Sequence, residues 1–179
     1  MGYKSLAECV RDLEKHGHLI RIREEVDPHL EAAAIHLRVF ENAGPALLFE
    51  NIKGSKFPAV SNLFGTLDRS KFMFRDSLDT IKTLVGLKSD PMKALKNPFK
   101  YASAGLTSLS ALPWQTGLMA PIKFGKTKIS ELPQIQNWPM DGGPFITMPQ
   151  VYTEDIEKPG IMNANLGMYR IQLGGNDYI

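Results

Sequence analysis

The stretch Asn163-Ala-Asn-Leu-Gly-Met-Tyr-Arg-Ile-Gln-Leu173 carries the most informative chemistry in this 179-residue chain. Its composition predicts a strand, on which the amide of Asn165 and the guanidinium of Arg170 lie five residues apart. An amide oxygen is a hard donor that suits Mg²⁺ or Mn²⁺, and a planar guanidinium can hold a carboxylate through two hydrogen bonds. Because side chains alternate along a strand, we expect these two groups on opposite faces unless an irregularity near Gly167 interrupts it.

This stretch and the residues before it predict two strands joined by an acidic turn. The strands are expected over residues 145–152 and 161–173, and the turn over residues 154–157 carries three acids that we expect to be solvated. Upstream of the first strand, Asp141-Gly-Gly-Pro144 favours a structural turn. A phosphate-binding loop would need a preceding strand and a following helix, and neither is indicated here.

The first half of the chain predicts alternating helices and strands. Ser5 and Glu8 fit a capping box at a helix start, and Gly17 can adopt the left-handed conformation that ends the helix. Asp27 is expected to be the N-cap of a second helix, with Pro28 at its first position. The expected elements are helices over residues 6–15 and 28–44, and strands over residues 18–24, 46–49 and 59–62.

Residues 68–95 have a broken helical pattern, and residues 97–117 have no clear period and predict a long connection. The expected buried stripe of the helical part consists of Phe72, Leu78, Ile81, Leu84 and Val85. We place the domain boundary in the connection, between an N-terminal domain over residues 1–115 and a second unit over residues 116–179.

Charge and hydropathy limit the possible partners. The formal net charge is +2, and acids are interspersed among the bases, so no nucleic-acid partner is expected. No apolar run approaches the ~20 residues that span a bilayer, and the N-terminus lacks the apolar part of a signal peptide. These features predict a cytoplasmic protein without membrane insertion.

The cysteine and histidine residues indicate no separate site. Cys9 lies among apolar residues and is expected to be a small buried hydrophobe. His29 and His36 are seven residues apart on one face of a predicted helix, too far to share a metal without a third ligand between them.

Six sequence blocks, in order along the chain, resemble one known family. The blocks are Ser5 to Ile22, Glu25-Val-Asp-Pro28, Gly44-Pro-Ala-Leu-Leu-Phe-Glu-Asn-Ile-Lys-Gly54, Asn62-Leu-Phe-Gly65, Asp141-Gly-Gly-Pro144 and Asn165-Leu-Gly-Met-Tyr-Arg170. Together they resemble the UbiD family of prenylated-flavin decarboxylases. The resemblance implies an α+β fold, with an N-terminal α/β domain followed by the first strands of a split, flavin-reductase-like β-barrel that binds prenylated FMN.

The resemblance also implies roles for individual residues. Asn165 resembles the family's amide ligand to a Mn²⁺ or Mg²⁺ ion that bridges the flavin phosphate, with K⁺ or Na⁺ nearby. Met168 and Tyr169 would contact the cofactor mainly through their backbone, and Arg170 resembles the active-site arginine. Thr147 would line the cavity. Taken alone, such an asparagine is more often a turn residue, and such an arginine an exposed ion-pair member.

The implied reaction is reversible decarboxylation of an aromatic or α,β-unsaturated carboxylic acid, in which the flavin is the electron sink. In the family, a histidine and a glutamate that complete the metal site, and the acids that protonate the product, lie C-terminal to this segment. After Arg170 the chain contains one acid, Asp177, and no histidine. We therefore expect an N-terminal portion of a decarboxylase that is inactive alone and forms homo-oligomers, by pairing of free strand edges or in the family's own manner. The alternatives are a noncatalytic assembly module and a small flavin-binding protein.

Overall fold

The computed structural model describes residues 2–89 and 127–176. Its first part contains four helices and three strands: α1 (Leu6–Lys15), β1 (Leu19–Val26), α2 (Glu31–Glu41), β2 (Ala46–Ile52), β3 (Ala59–Ser61), α3 (Leu67–Met73) and α4 (Leu78–Ser89). Its second part contains four short strands: β4 (Phe145–Ile146), β5 (Gln150–Glu154), β6 (Ala164–Met168) and β7 (Ile171–Gln172). The fold is thus a mixture of helices and small sheets. The predicted connection and domain boundary lie outside the described residues, so the division into two units stays a prediction.

The first part is built on a three-stranded sheet in the order β1-β2-β3. β1 and β2 are parallel, with Leu19 opposite Ala46 and Val26 opposite Ile52, and β3 is antiparallel to β2. Two parallel neighbours need a crossover connection, and α2 supplies it. The strands expected over 46–49 and 59–62 are confirmed, although β2 continues three residues further.

Apolar side chains fill both faces of this sheet. One cluster lies towards α1 and includes Cys9, Leu13 and Leu19, and the other lies towards α2 and includes Ala32 and Phe49. Cys9 is buried, as its apolar neighbours predicted. Burial of these side chains is the main stabilising contribution to the first part, at about 25 cal/mol per Å² of apolar surface.

The expected helix over residues 6–15 is confirmed at both ends. Ser5 Oγ accepts from the amide of Glu8 at 3.2 Å, and Gly17 has φ +73°. The capping box differs in one contact, because the Glu8 carboxylate accepts from the amide of Lys4 at 2.8 Å rather than from that of Ser5.

The predicted start of the second helix is wrong. Asp27 Oδ1 accepts from the amide of His29 at 2.8 Å in a local turn, and the helix begins at Glu31 after Leu30, which has φ +67°. The cause is a tertiary contact, because the amide of Leu30 donates to Gln136 O at 3.2 Å and the backbone of residues 28–30 pairs with this distant residue. His29 therefore lies outside the helix and does not share a helical face with His36.

The buried stripe predicted over residues 72–85 is only partly correct. Phe72 packs against the α1 cluster, but Ile81 and Val85 are 47% and 60% exposed among the described residues. A helical period identifies an apolar face without identifying what covers it. None of the helices in residues 2–89 or 127–176 is long and apolar enough to cross a membrane.

The two long strands predicted near the C-terminus are each divided. β4 pairs with β7 and β5 pairs with β6, so each predicted strand changes its partner part-way along. The first change occurs at Pro149, which has no amide to donate to a ladder, and the second at Tyr169 and Arg170. The irregularity expected between Asn165 and Arg170 exists, but it lies after β6 and not at Gly167.

Candidate functional site

Arg170 is held on two sides by residues of the Asp-Gly-Gly-Pro turn and the strand that follows it. Its Nη2 donates to Asp141 Oδ2 at 2.6 Å, and its Cζ lies 3.7 Å from the centre of the Phe145 ring. The Arg170 side chain is 43% exposed, whereas that of Asp141 is 11% exposed. A cation over an aromatic face contributes about 0.5–1 kcal/mol at an exposed site, so the ring adds to what the ion pair provides.

The backbone around these residues fixes their relative positions. Phe145 pairs with Gln172 across β4 and β7, and the amide of Leu173 donates to Pro144 O at 2.9 Å. Gln172 Nε2 donates to Gly142 O at 2.8 Å. Gly143 has φ +148°, a conformation that other residues rarely adopt, and it lets the turn close onto β7. The expected structural turn at residues 141–144 is present, and its contact with Arg170 was missed in the sequence.

A cleft of about 580 Å³ opens beside Arg170, between α2 and residues 137–147. Its apolar wall consists of Leu30, Ala33, Ala34, Leu37, Phe40, Trp138 and Pro139. The polar groups on its lining come from His36, Asn137, Thr147 and Arg170. Thr147, which the family resemblance places at a cavity, thus lies on the same cleft as Arg170. An apolar cleft with a few convergent polar groups is the usual form of a small-molecule site.

His36 is the second polar residue of the cleft with a specific partner. Its Nδ1 lies 2.6 Å from Ser61 Oγ, and its ring stacks parallel to that of Phe40 at 6.2 Å between centres. Burial lowers the pKa of His36 below its ordinary value, since desolvation disfavours the charged imidazole. The pairing was missed because the two residues lie 25 positions apart on different elements.

Asn165 lies on β6, away from this cleft. It is opposite Thr153 in the ladder with β5, it is exposed, and its side chain makes no hydrogen bond within the described residues. Its oxygen is therefore available to a hard cation. The described residues contain no group of three or more histidine, cysteine, aspartate or glutamate side chains that could hold a metal, so Asn165 fits as one ligand of a set and not as a whole site.

Met168 and Tyr169 lie at the end of β6 and both are exposed. Met168 is on the opposite face of the strand from Asn165, because the two are three residues apart. The amide of Tyr169 donates to Pro149 O at 3.2 Å, and its ring lies over Gly167, where a Cβ would be 2.5 Å away.

Models of two domains of one enzyme family match this chain in order. The N-terminal domain of 3-octaprenyl-4-hydroxybenzoate carboxy-lyase matches residues 10–88, and the Rift-related domain of the same enzyme matches residues 118–179.

Similar proteins agree with these matches. A Chlamydia pneumoniae protein, named as one of the subunits of 4-hydroxybenzoate decarboxylase, is 38% identical over 86% of this chain and 26% of its own length. The vanillic acid decarboxylase of Sedimentibacter hydroxybenzoicus, in its open form, has a TM-score of 0.71 at 26% identity, over 99% of this chain and 38% of that chain. The UbiD-class enzyme HmfF of Pelotomaculum thermopropionicum, an evolved dimeric form in complex with prFMN, has a TM-score of 0.60 at 25% identity, over 98% of this chain and 37% of that chain.

The fold is similar to that of UbiD-class enzymes, and both matched models are domains of one carboxy-lyase. The chain belongs to the UbiD family, as its six sequence blocks predicted. It spans about a third of the length of the relatives it matches.

Proposed function

We propose that this chain is the N-terminal portion of a prenylated-FMN-dependent decarboxylase that acts reversibly on an aromatic or α,β-unsaturated carboxylic acid. The observation that carries the proposal is the ordered match of both UbiD domains, over residues 10–88 and 118–179. The names of the 4-hydroxybenzoate and vanillic acid decarboxylases among its relatives favour an aromatic acid as the substrate.

Arg170 is the catalytic residue of this proposal and binds the substrate carboxylate. Asp141 occupies Nη2, while Nε and Nη1 make no hydrogen bond with described residues and remain available as donors. Charge-assisted hydrogen bonds from a guanidinium are short and directional, so they orient a carboxylate as well as attract it.

Prenylated FMN, when bound, supplies the electron sink for the loss of carbon dioxide. Met168 and Tyr169 would contact the flavin through backbone groups, and Asn165 would give its side-chain oxygen to Mn²⁺ or Mg²⁺, with K⁺ as a further ion. Strands β4 to β7 then form the first strands of the split β-barrel expected for the family.

The remaining metal ligands and the proton donor lie outside these 179 residues in this proposal, because only Asp177 among acids, and no histidine, follows Arg170. We expect the 179-residue polypeptide alone to be inactive and the natural protein to be a cytoplasmic homo-oligomer. The exposed side chains of Leu166 and Met168 favour a second candidate, a noncatalytic assembly module that binds its partner through β6. Analytical sedimentation of the chain measures its self-association. A monomer at all concentrations would contradict the expected homo-oligomer.

The test of the proposed function is a variant of Arg170 in the natural polypeptide that contains this chain, loaded with prenylated FMN and Mn²⁺. Carbon dioxide release from a panel of aromatic acids is expected, with kcat/KM lowered by about 10²-fold or more in Arg170→Gln, because the carboxylate loses its charged donor. Arg38→Gln, which changes an exposed arginine of α2, is the control and should leave kcat/KM unchanged. Release that is equal in both variants would contradict the assignment.

A further inference from the structure

We infer that Asp141 and Phe145 are positioning residues that hold the Arg170 guanidinium in the orientation needed to bind a carboxylate. The inference rests on the proposed function and extends it to two residues of the Asp-Gly-Gly-Pro-Phe segment. In the sequence these residues indicate only a turn and the start of a strand.

The ion pair is more constrained than an ordinary surface pair. The carboxylate of Asp141 is only 11% exposed, so water screens it less than it screens most surface acids. Its Oδ2 also accepts from the amide of Trp138 at 3.2 Å, and the amide of Asp141 donates back to Trp138 O at 3.0 Å. The hydrogen bonds with Trp138 therefore hold the Asp141 carboxylate in place independently of Arg170.

The ring of Phe145 restricts the guanidinium from a second direction. With Cζ 3.7 Å from the ring centre, the guanidinium is in contact with the aromatic face. The ion pair fixes the Nη2 end, and the ring limits rotation out of this position. Together the ion pair and the ring contact determine the orientation of the guanidinium, whereas either contact alone would let it rotate.

Backbone pairing ties the two positioning residues to the strand that follows Arg170. Ile146 pairs with Ile171, and Phe145 pairs with Gln172. Gln172 Nε2 donates to Gly142 O, next to Asp141. The distance from Asp141 to Arg170 is therefore set by the β4–β7 register and not by side-chain flexibility.

Arg170 keeps unused donors in this orientation, since only its Nη2 is bonded within the described residues. Binding of a carboxylate to a fixed guanidinium avoids the loss of side-chain rotamer freedom that a mobile arginine would undergo. Removal of either positioning residue should therefore weaken carboxylate binding without removing the charge that binds it.

A first experiment follows the Nε–H group of Arg170 by proton–nitrogen NMR of the natural polypeptide that contains this chain. The signal is assigned by its loss in Arg170→Lys. Because the group lies near an aromatic face, its proton signal is expected upfield of arginines that contact no ring; Arg75, whose Cζ lies 4.1 Å from the centre of the Phe72 ring, should be shifted as well. The Arg170 signal should move downfield in Asp141→Asn, where the ring remains but the ion pair is lost. It should stay in place in Glu157→Gln, which removes one negative charge from an exposed turn of the same part of the chain. Phe145→Leu removes the ring itself, so that residue is tested by ligand binding.

A second experiment measures benzoate binding to the natural polypeptide by calorimetry. We expect Asp141→Asn and Phe145→Leu each to weaken binding about tenfold, Asp141→Glu to recover most of the loss, and Glu157→Gln to have no effect. A purely structural role of Asp141 would lower the unfolding temperature without a selective change in benzoate affinity or in the Arg170 signal.

The two experiments separate the failure of this inference from the failure of the proposed function. If wild-type protein binds no benzoate while the Arg170 signal moves in Asp141→Asn, the positioning role of Asp141 stands and the carboxylate role fails. If benzoate binding is lost in Arg170→Gln but unchanged in Asp141→Asn, or if the Arg170 signal does not move, the inference is overturned.

Discussion

At the scale of single residues, burial of the His36 imidazole makes stability depend on pH just below neutrality. Burial lowers the pKa of His36 in the folded state below the value of about 6.5 that it has in an unfolded chain. The unfolded state therefore binds the proton first as the pH falls. The contribution to stability is fully present above about pH 6.5 and is lost as the pH falls towards the folded-state pKa.

We predict that His36→Gln reduces the pH dependence of unfolding. In the wild type the urea midpoint should fall between pH 7.5 and pH 5.5, because the unfolded state takes up a proton at His36 before the folded state does. Part of that fall should be missing in His36→Gln and retained in Arg38→Gln, a change at an exposed position of the same helix that does not titrate in this range. An identical fall in all three proteins would show that His36 is not buried as described.

Roles of single residues were predictable where the groups they contact are close in sequence. Ser5 caps an amide three residues away and Gly17 ends its own helix, so each carries its own signal. The pair of Asp141 and Arg170 spans 29 positions. The family resemblance made Arg170 a candidate, and its role stays a prediction. The pair with Asp141 was not predicted, because it depends on the β4–β7 register, which the local pattern does not specify.

At the scale of secondary structure, the strand boundaries of the first part were predictable from local pattern, whereas the start of α2 and the division of the C-terminal strands were not. β2 begins with a largely buried apolar run and β3 is half-buried, and the turn at Gly54, with φ +79°, separates them as expected. The start of α2 is shifted by pairing with Gln136, which lies more than a hundred residues away. A helix-start signal such as Asp27-Pro28 describes local preference and cannot report such a contact.

Arg69 fastens α3 to the loops beside the three-stranded sheet. It is 2% exposed and has no acidic partner among the described residues, and burial lowers its pKa. Its guanidinium donates to three backbone oxygens, those of Gly44 at 2.9 Å, Asn62 at 2.6 Å and Leu63 at 2.9 Å. The positive φ of Asn62, +58°, turns the loop so that these oxygens converge on it.

We predict that Arg69→Met lowers the free energy of unfolding by about 2–4 kcal/mol, because it removes three charge-assisted hydrogen bonds and leaves Leu63 O without a donor among the described residues. Gly44 O keeps the Asn62 side-chain amide and Asn62 O keeps the Gly65 backbone amide, each at 3.3 Å. Urea denaturation measures the change. Arg38→Met, at an exposed position of α2, is the matched control and should change stability by no more than about 0.5 kcal/mol. Equal midpoints for the two variants would refute the role of Arg69.

At the scale of the whole molecule, the N-terminal sheet and the C-terminal strands are joined by specific contacts. The amide of Gln136 donates to Pro28 O at 3.0 Å, and Ser55 Oγ donates to Glu131 O at 2.8 Å. These contacts bring α2 close to the turn that holds Arg170, and the cleft forms between them. The N-terminal part therefore supplies one wall of the candidate site.

The most direct test of this account is the Mn²⁺ affinity of the natural polypeptide in the presence of prenylated FMN, measured from the electron paramagnetic resonance of free Mn²⁺. We predict that Asn165→Ala weakens Mn²⁺ binding at least about tenfold, because it removes an oxygen ligand. Asn163→Ala, whose amide donates to Lys158 O at 3.0 Å, should bind Mn²⁺ as the wild type does. Equal affinity in Asn165→Ala and the wild type, or no Mn²⁺ binding by the wild type, would contradict a cofactor and metal site at the edge of β6.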